Sequence, residues 1–340
     1  VYNNTLIISA MVQGIEFYNI SNQGTLNHIQ HFTLGQGSKA NCVEAINNYA
    51  YFTSSNGLFV VNISNPSNPQ NLGSESGTNN LILENLDAEG NLLALAAHED
   101  GVLLYDISNP NNLNLLSTIP SNNAWSVRLH NGYAYIADDQ SVKIYDVSNT
   151  ASPNFVNVIE TTNAVKDIAL TNLYMYVAIG SDGVNIYDLS DPGLPIFLDS
   201  FDTNTMANRI SLFDGKLAVS DWDDVDVLEW DGFSLNWVGY KNTGNRSMAI
   251  AAKDGGFIFS AEWASVQAFE FGEIAGPDID LSTWELNYPY VASGDSYTLS
   301  VEITNNGNQI LSISDNYTTN SEFQIINSLV DLNPDSSQIV

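Results

Sequence analysis

The densest group of chemistry-bearing residues is "DWDDVD", Asp221 to Asp226. Four carboxylates within six residues can offer hard oxygen ligands, the donor type calcium prefers. Asp221, Asp223, Asp224 and Asp226 are therefore the candidate calcium ligands, and calcium is the one cofactor the sequence suggests. The stretch lacks the glycine and distal glutamate of an EF-hand loop, so a solvated acidic turn is the competing reading. "AGPDID" at 275–280 is a weaker candidate of the same kind. An acid/base pair of carboxylates is also available in so acidic a chain, but no particular pair stands out.

Other reactive groups are sparse. His28 and His31 lie three apart, a spacing that in a regular strand puts them on opposite faces and makes a poor metal site. Cys42 is the only cysteine, so no intrachain disulfide forms, and its small neighbours suggest a buried apolar filler. The chain has neither a Gly-x-Ser-x-Gly elbow nor a phosphate-binding glycine loop. These readings point to no catalytic residue. With 39 acidic and 9 basic residues, the net charge of -30 argues against nucleic acid and anionic membrane surfaces as partners. Such a charge suits a soluble protein in a salty extracellular setting. No apolar run is long enough for direct membrane insertion.

The elements that hold these residues come from a repeat. "GIEFYNIS" at Gly14, "GLFVVNIS" at Gly57, "GVLLYDIS" at Gly101, "SVKIYDVS" at Ser141, "GVNIYDLS" at Gly183, "DVDVLEW" at Asp224 and "SVQAFEF" at Ser265 recur every 40 to 44 residues. That period suits a propeller blade of four strands. In the fifth unit "NAVKDIAL", "LYMYVAI", "VNIYDL" and "IFLDSF" read as successive strands, the second apolar throughout and the third alternating. Asn131-Gly132, Asp214-Gly215, Glu89-Gly90 and Asp254-Gly255 read as the tight turns between first and second strands. Tyr105, Tyr145 and Tyr187 should fill the space between blades. Asp106, Asp146 and Asp188 should accept backbone N–H bonds in the turn that follows. Seven second and third strands but six first and fourth strands can be counted. The first blade thus lacks its inner strand, which is expected upstream of Val1 or from another part of the chain.

Most of the cations fall in the first strands, which line a propeller's channel. Lys39, Arg128, Lys166, Arg209, Arg246 and Lys253 are six of the nine Lys and Arg, far more than even scatter would place there. One reading is an anion-attracting channel mouth, with Trp125 as a stacking platform. The other, favoured because the six share neither an aligned column nor a strand face, is local neutralisation of a very acidic ring.

The phrase hydrophobic-x-Ile/Val-Tyr-Asp-Ile/Val-Ser-Asn/Asp-Pro, best kept at 101–110, 141–153 and 183–195, resembles the LVIVD repeat family. That resemblance implies a β-propeller of secreted or surface proteins and supplies no catalytic residues. It spans residues 1–272 and weakens after 215. Residues 273–277 read as a linker. In 278–340, "VEITNNGNQILSI" and "LNPDSSQIV" resemble the Ig-like domains of the abnormal-spindle/Hydin type. The expected protein is all-β: a seven-bladed β-propeller followed by an incomplete Ig-like β-sandwich, a segment of a longer bacterial chain.

The expected function is non-catalytic: an extracellular or cell-surface adhesion or scaffold module. It would bind a protein or glycan through propeller loops, beside other domains of the same chain. The rival is a carbohydrate-binding lectin or a propeller lyase or hydrolase using the channel mouth. Trp222, Trp230, Trp237 and Trp263, clustered in the two divergent repeats, would then form a special face or simply replace lost packing.

Overall fold

A computed structural model of the chain describes residues 1–10, 14–21, 24–35, 39–262 and 265–272. Beyond these it describes 279–282, 289, 295–305, 309–313, 324, 331–333 and 336–340. The chain divides into two compact units, Val1–Glu270 and Phe271–Val340.

The first unit is a β-propeller of seven antiparallel sheets that follow one another along the chain. Blade five shows the plan: an inner strand Asp167–Leu170, then Tyr174–Ala178 and Val184–Asp188, and an outer strand Ile196–Phe201. Blades two to six have four strands each among the described residues. Blade one shows three among the described residues, Thr5–Ser9, Ile15–Ile20 and Leu26–Phe32, which correspond to the second, third and outer strands of the other blades. Blade seven shows three among the described residues, Ser247–Lys253, Phe257–Glu262 and Val266–Glu270, the inner to the third. The ring closes by packing. Leu6 and Ile20 of blade one meet Phe257 and Phe259 of blade seven. On the other side Ile7, Ile15 and Phe17 meet Ala40, Phe52 and Phe59 of blade two. Thr5–Ser9 takes the channel-facing place, and Leu6 to Ser9 line the channel.

The layers follow from the side chains. Second strands are apolar on both faces because a blade lies on either side; Met175, Val177 and Ala178 are all inaccessible. Each such Val or Met removed from water stabilises the fold by roughly 1.5–3 kcal/mol. Tyr105 and Tyr187 are buried between blades, with Tyr145 partly so. After the third strand, Asp106, Asp146 and Asp188 accept the N–H groups of Ser108, Ser148 and Ser190 at 2.8, 2.9 and 2.7 Å. Hydrogen bonds from those serines hold all three carboxyls below their usual range.

Why the phrase opens on glycine is also clear. Gly183 has φ +79° and Gly101 φ +91°. A Cβ there would lie 2.0 Å from the Phe201 carbonyl oxygen, or 2.3 Å from that of Ile119. Only glycine lets the third strand start this close to the outer strand.

The first hairpins differ in detail from expectation. Asn131-Gly132 and Asp214-Gly215 take positive φ at both positions, as does Asn47-Asn48. In blade three the strand runs on through Glu89 and the turn is Gly90-Asn91, one residue later. In blade seven Lys253 pairs with Phe257, so Asp254, Gly255 and Gly256 form a three-residue turn.

The second unit holds a three-stranded antiparallel sheet, Ile279–Leu281, Glu302–Asn305 and Ser336–Ile339, with Glu302–Asn305 central. The linker 273–277, Trp263, the turn at 306–308 and nearly all of "FQIINSL" lie outside the described residues.

Candidate functional site: the channel mouth and an acidic hairpin

All seven blades contribute to a central channel of about 490 Å³. Its wall is a polar belt inside an apolar ring. Asn85, Ser126 and Asp167 occupy matching places on the inner strands of blades three, four and five, opposite Ala96, Ala137 and Ala178. Asp167, 2% exposed, accepts from Ser126 Oγ at 2.9 Å, Arg128 Nη2 at 2.7 Å and the Ile168 and Ile210 N–H groups. Arg128 Nη1 donates to Asn85 Oδ1 at 2.7 Å. Asp87 accepts the Leu129 N–H, and Ser211 Oγ accepts that of Ala252. In blades four, six and seven these bonds give an inner-edge N–H an acceptor from the preceding blade: Leu129 on Asp87, Ile210 on Asp167 and Ala252 on Ser211. Burial raises the Asp87 carboxyl against the pull of Arg128. Burial, then Asp87, pushes Glu44 up to about 7.

At one mouth the first-strand residues form a second cluster. The Lys166 ammonium lies 4.3 Å over the Trp125 ring, and His98 meets that ring edge-on at 5.2 Å. Arg209 donates to Glu84 Oε1 at 3.0 Å and to the Lys166 carbonyl at 2.9 Å. Glu84 also lies 3.6 Å from His98. Burial, then Arg209, lowers the Lys166 ammonium. Of the first-strand cations, Lys166 and Arg209 therefore come together at Trp125, and Arg128 sits deeper. Lys39 is exposed, Arg246 stacks on Trp222 at 4.6 Å, and Lys253 lies near Phe257 at the far end of its strand. The cations of the wall face carboxylates and an indole, an arrangement of mutual neutralisation.

The acidic hairpin lies where the second strand of blade six, Lys216–Asp221, turns through Trp222-Asp223 into Asp224–Trp230. Asp221 pairs with Asp224, and Asp226 follows two residues on, so all three share one face. Each offers an oxygen within 4.8 Å of the others. Asp223 is exposed at the tip, outside the trio. Thr203 Oγ1 donates to Asp221 Oδ1 at 2.8 Å, and Trp237 Nε1 to Asp226 Oδ1 at 2.7 Å. Asp221 Oδ2 and Asp224 Oδ1 are buried with no partner. Burial is the first cause that raises all three, joined by repulsion from nearby aspartates, Asp223 included: Asp221 rises against bonds from Thr205 and Thr203, Asp224 to about 7, and Asp226 to about 6 despite its bond from Trp237.

The histidine expectation is corrected. His28 Nε2 and His31 Nδ1 both reach Glu16, at 2.9 and 2.7 Å. A β-bulge between Phe17 and Tyr18 shifts the register, so residues three apart face the same way. Burial of Glu16 is outweighed by these two bonds, which hold its carboxyl below the usual range. Cys42 is half-buried on the channel wall, packed against the core between blades two and three, with its sulfur 3.7 Å from Asn85 Nδ2. The channel acids Glu44, Asp87 and Asp167 were missed. The signal was there: a polar residue at one phase of successive inner strands.

With this geometry in hand, the comparisons with known proteins are informative about class. The LVIVD repeat matches in three places, residues 37–75, 121–161 and 164–203. No curated protein matches the chain. Among solved structures it is similar to the computationally designed Ika8 protein, with TM-score 0.60 and 13% identity over 80% of this chain and 82% of that one. It is also similar to a chain of the mitotic checkpoint complex, with TM-score 0.64 and 10% identity over 78% and 87%. A third is U3-55K, with TM-score 0.56 and 13% identity over 70% and 79%. At these identities the likeness concerns the fold. The chain is a seven-bladed β-propeller carrying LVIVD repeats.

Proposed function

We propose that the chain is a non-catalytic binding module of a larger bacterial surface or secreted protein. It engages a surface protein or glycan through its loops and outer strands. The supporting observation is where large, half-exposed apolar side chains line up. The channel charges are consumed by one another. The outer strands of four successive blades, by contrast, carry Leu115, Phe155, Phe197 and Trp237 at one register position, each about half exposed. Aromatic groups on a rigid rim are favourable anchors for a macromolecular partner. The net charge of -30 suits an extracellular setting, and among the described residues no helix is long and apolar enough to cross a membrane. Residues 278–340 are read as an Ig-like module that presents the ring; the sheet around Glu302–Asn305 is compatible with it.

The lectin or enzyme alternative needs an open Trp125 face, and Lys166 lies over that ring. Purified chain is incubated with intact bacterial cells and with a glycan array. Charge insertions Phe155→Asp and Phe197→Asp are compared with the mouth variants Trp125→Ala and Lys166→Ala. Loss of cell binding in the outer-strand variants alone supports the proposal. Loss in the mouth variants alone, with recognition of a glycan, overturns it in favour of the lectin.

A further inference from the structure

The blade-six hairpin gains meaning from its counterparts. At the end of the second strand, blades four, six and seven carry a buried acid: Asp138, Asp221 and Glu262, at 0%, 0% and 8% exposure. Five residues later, on the third strand and across the same hairpin, the chain places Lys143, Asp226 and Gln267. In blade four the Lys143 ammonium sits against Asp138, which also accepts the N–H groups of Asn122 and Asn123. In blade seven Gln267 Nε2 donates to Glu262 Oε1, and Ser265 Oγ to Glu262 Oε2 at 2.8 Å. Both buried acids thus have a donor from the third strand.

Blade six reverses this chemistry. The position of Lys143 is Asp226, and that of Ser141 or Ser265 is Asp224, so the third strand brings acceptors to an acid that needs donors. Asp221, fully buried, keeps Oδ2 without a partner, and Asp224 keeps Oδ1 likewise. An unpaired buried carboxylate is costly, and three facing one another cost more. Thr203 and Trp237 hold Asp221 and Asp226 by one oxygen each, as outer groups orient metal-ligating carboxylates.

We infer that Asp221, Asp224 and Asp226 form a calcium-binding site, in which the bound ion takes the place that the Lys143 ammonium fills in blade four. The all-oxygen donor set suits a hard cation, with water completing the shell. Asp223 is not a ligand. The ion would lock the Trp222-Asp223 turn, where Trp222 has φ +54° and Arg246 stacks on its ring. This inference does not depend on what the propeller binds.

The test is calorimetric titration of chelator-treated chain with calcium chloride alone, together with thermal melts. Extracellular oxygen sites bind with Kd near 10⁻⁴–10⁻³ M. At about 10 mM calcium the melting temperature should therefore rise by roughly 3–10 °C. Asp224→Asn should cut affinity at least tenfold, whereas Asp223→Asn should leave it unchanged. Asp226→Lys transplants the blade-four solution. It should melt above the calcium-free parent and lose the response to calcium. No binding heat and no shift in the parent at that concentration would overturn the site. So would an undiminished calcium response in Asp226→Lys. Should Asp226→Lys fail to fold, the contrast between Asp224→Asn and Asp223→Asn decides.

Discussion

Replacing Arg128 by methionine separates a structural channel wall from a ligand-binding one. The change keeps much of the side-chain volume and removes the guanidinium, with its two 2.7 Å bonds to Asn85 and Asp167. Asp167 remains, at 2% exposure, with only Ser126 and two backbone N–H groups as donors. Breaking a buried ion pair from one side costs about 3–5 kcal/mol. Arg128 is 22% exposed to the channel, so water relieves part of this and the expected loss is about 2–4 kcal/mol. For a unit of this size that lowers the melting temperature by roughly 5–15 °C. The assay is calorimetric unfolding at neutral pH and one fixed scan rate, with Asp167→Asn and the double variant completing a cycle. A coupling of at least ~1.5 kcal/mol is expected, because the double variant carries a neutral amide in place of the Asp167 carboxylate and strands no charge. If Arg128→Met melts within a degree or two of the parent, the guanidinium is not needed by the fold. The mutual-neutralisation reading then fails.

Lys143→Met should strand Asp138 in the same way, costing about 2–4 kcal/mol in thermal or urea unfolding. Gly183→Ala should lose about 3 kcal/mol, since its Cβ meets the Phe201 carbonyl in a left-handed backbone; denaturant midpoints measure this. Glu44 carries a pH signature. Its pKa rises from 4.5 to about 7 on folding, so between those values the folded chain keeps a proton that the unfolded chain has lost. Stability should therefore fall as pH rises through that window, by on the order of 1–3 kcal/mol after allowing for channel water. Glu44→Gln should flatten that part of the pH–stability curve.

What was legible in the sequence followed from short-range physics repeated many times. Apolar second strands, alternating third strands and Asx turns recur because each blade needs them, so the period and the blade count were readable. The β-bulge was not. It falls between third and outer strands at the same place in six blades, for example at Leu104/Tyr105, Ile144/Tyr145 and Ile186/Tyr187. No residue type there demands it, and it changed the facing of His28 and His31. The wall pairs were hidden for a different reason. Arg128 meets Asp167 39 residues away and Arg209 meets Glu84 125 residues away, and periodicity does not say which side chains will meet across a ring. The acidic hairpin was half visible. The four carboxylates stood out, but separating Asp223 from the trio needed the register of the turn, and the contrast with Lys143 and Gln267 needed three blades in view.

Binding through the outer strands and loops is the central functional claim, and hydrogen exchange on the chain bound to intact bacterial cells addresses it directly. The account predicts slowed exchange at the outer strands Asn154–Glu160, Ile196–Phe201 and Leu235–Asn242, with the inner strands unchanged. Protection confined to Ala124–His130 and the residues around Lys166, with the outer strands unaffected, would contradict it and move the binding site into the channel.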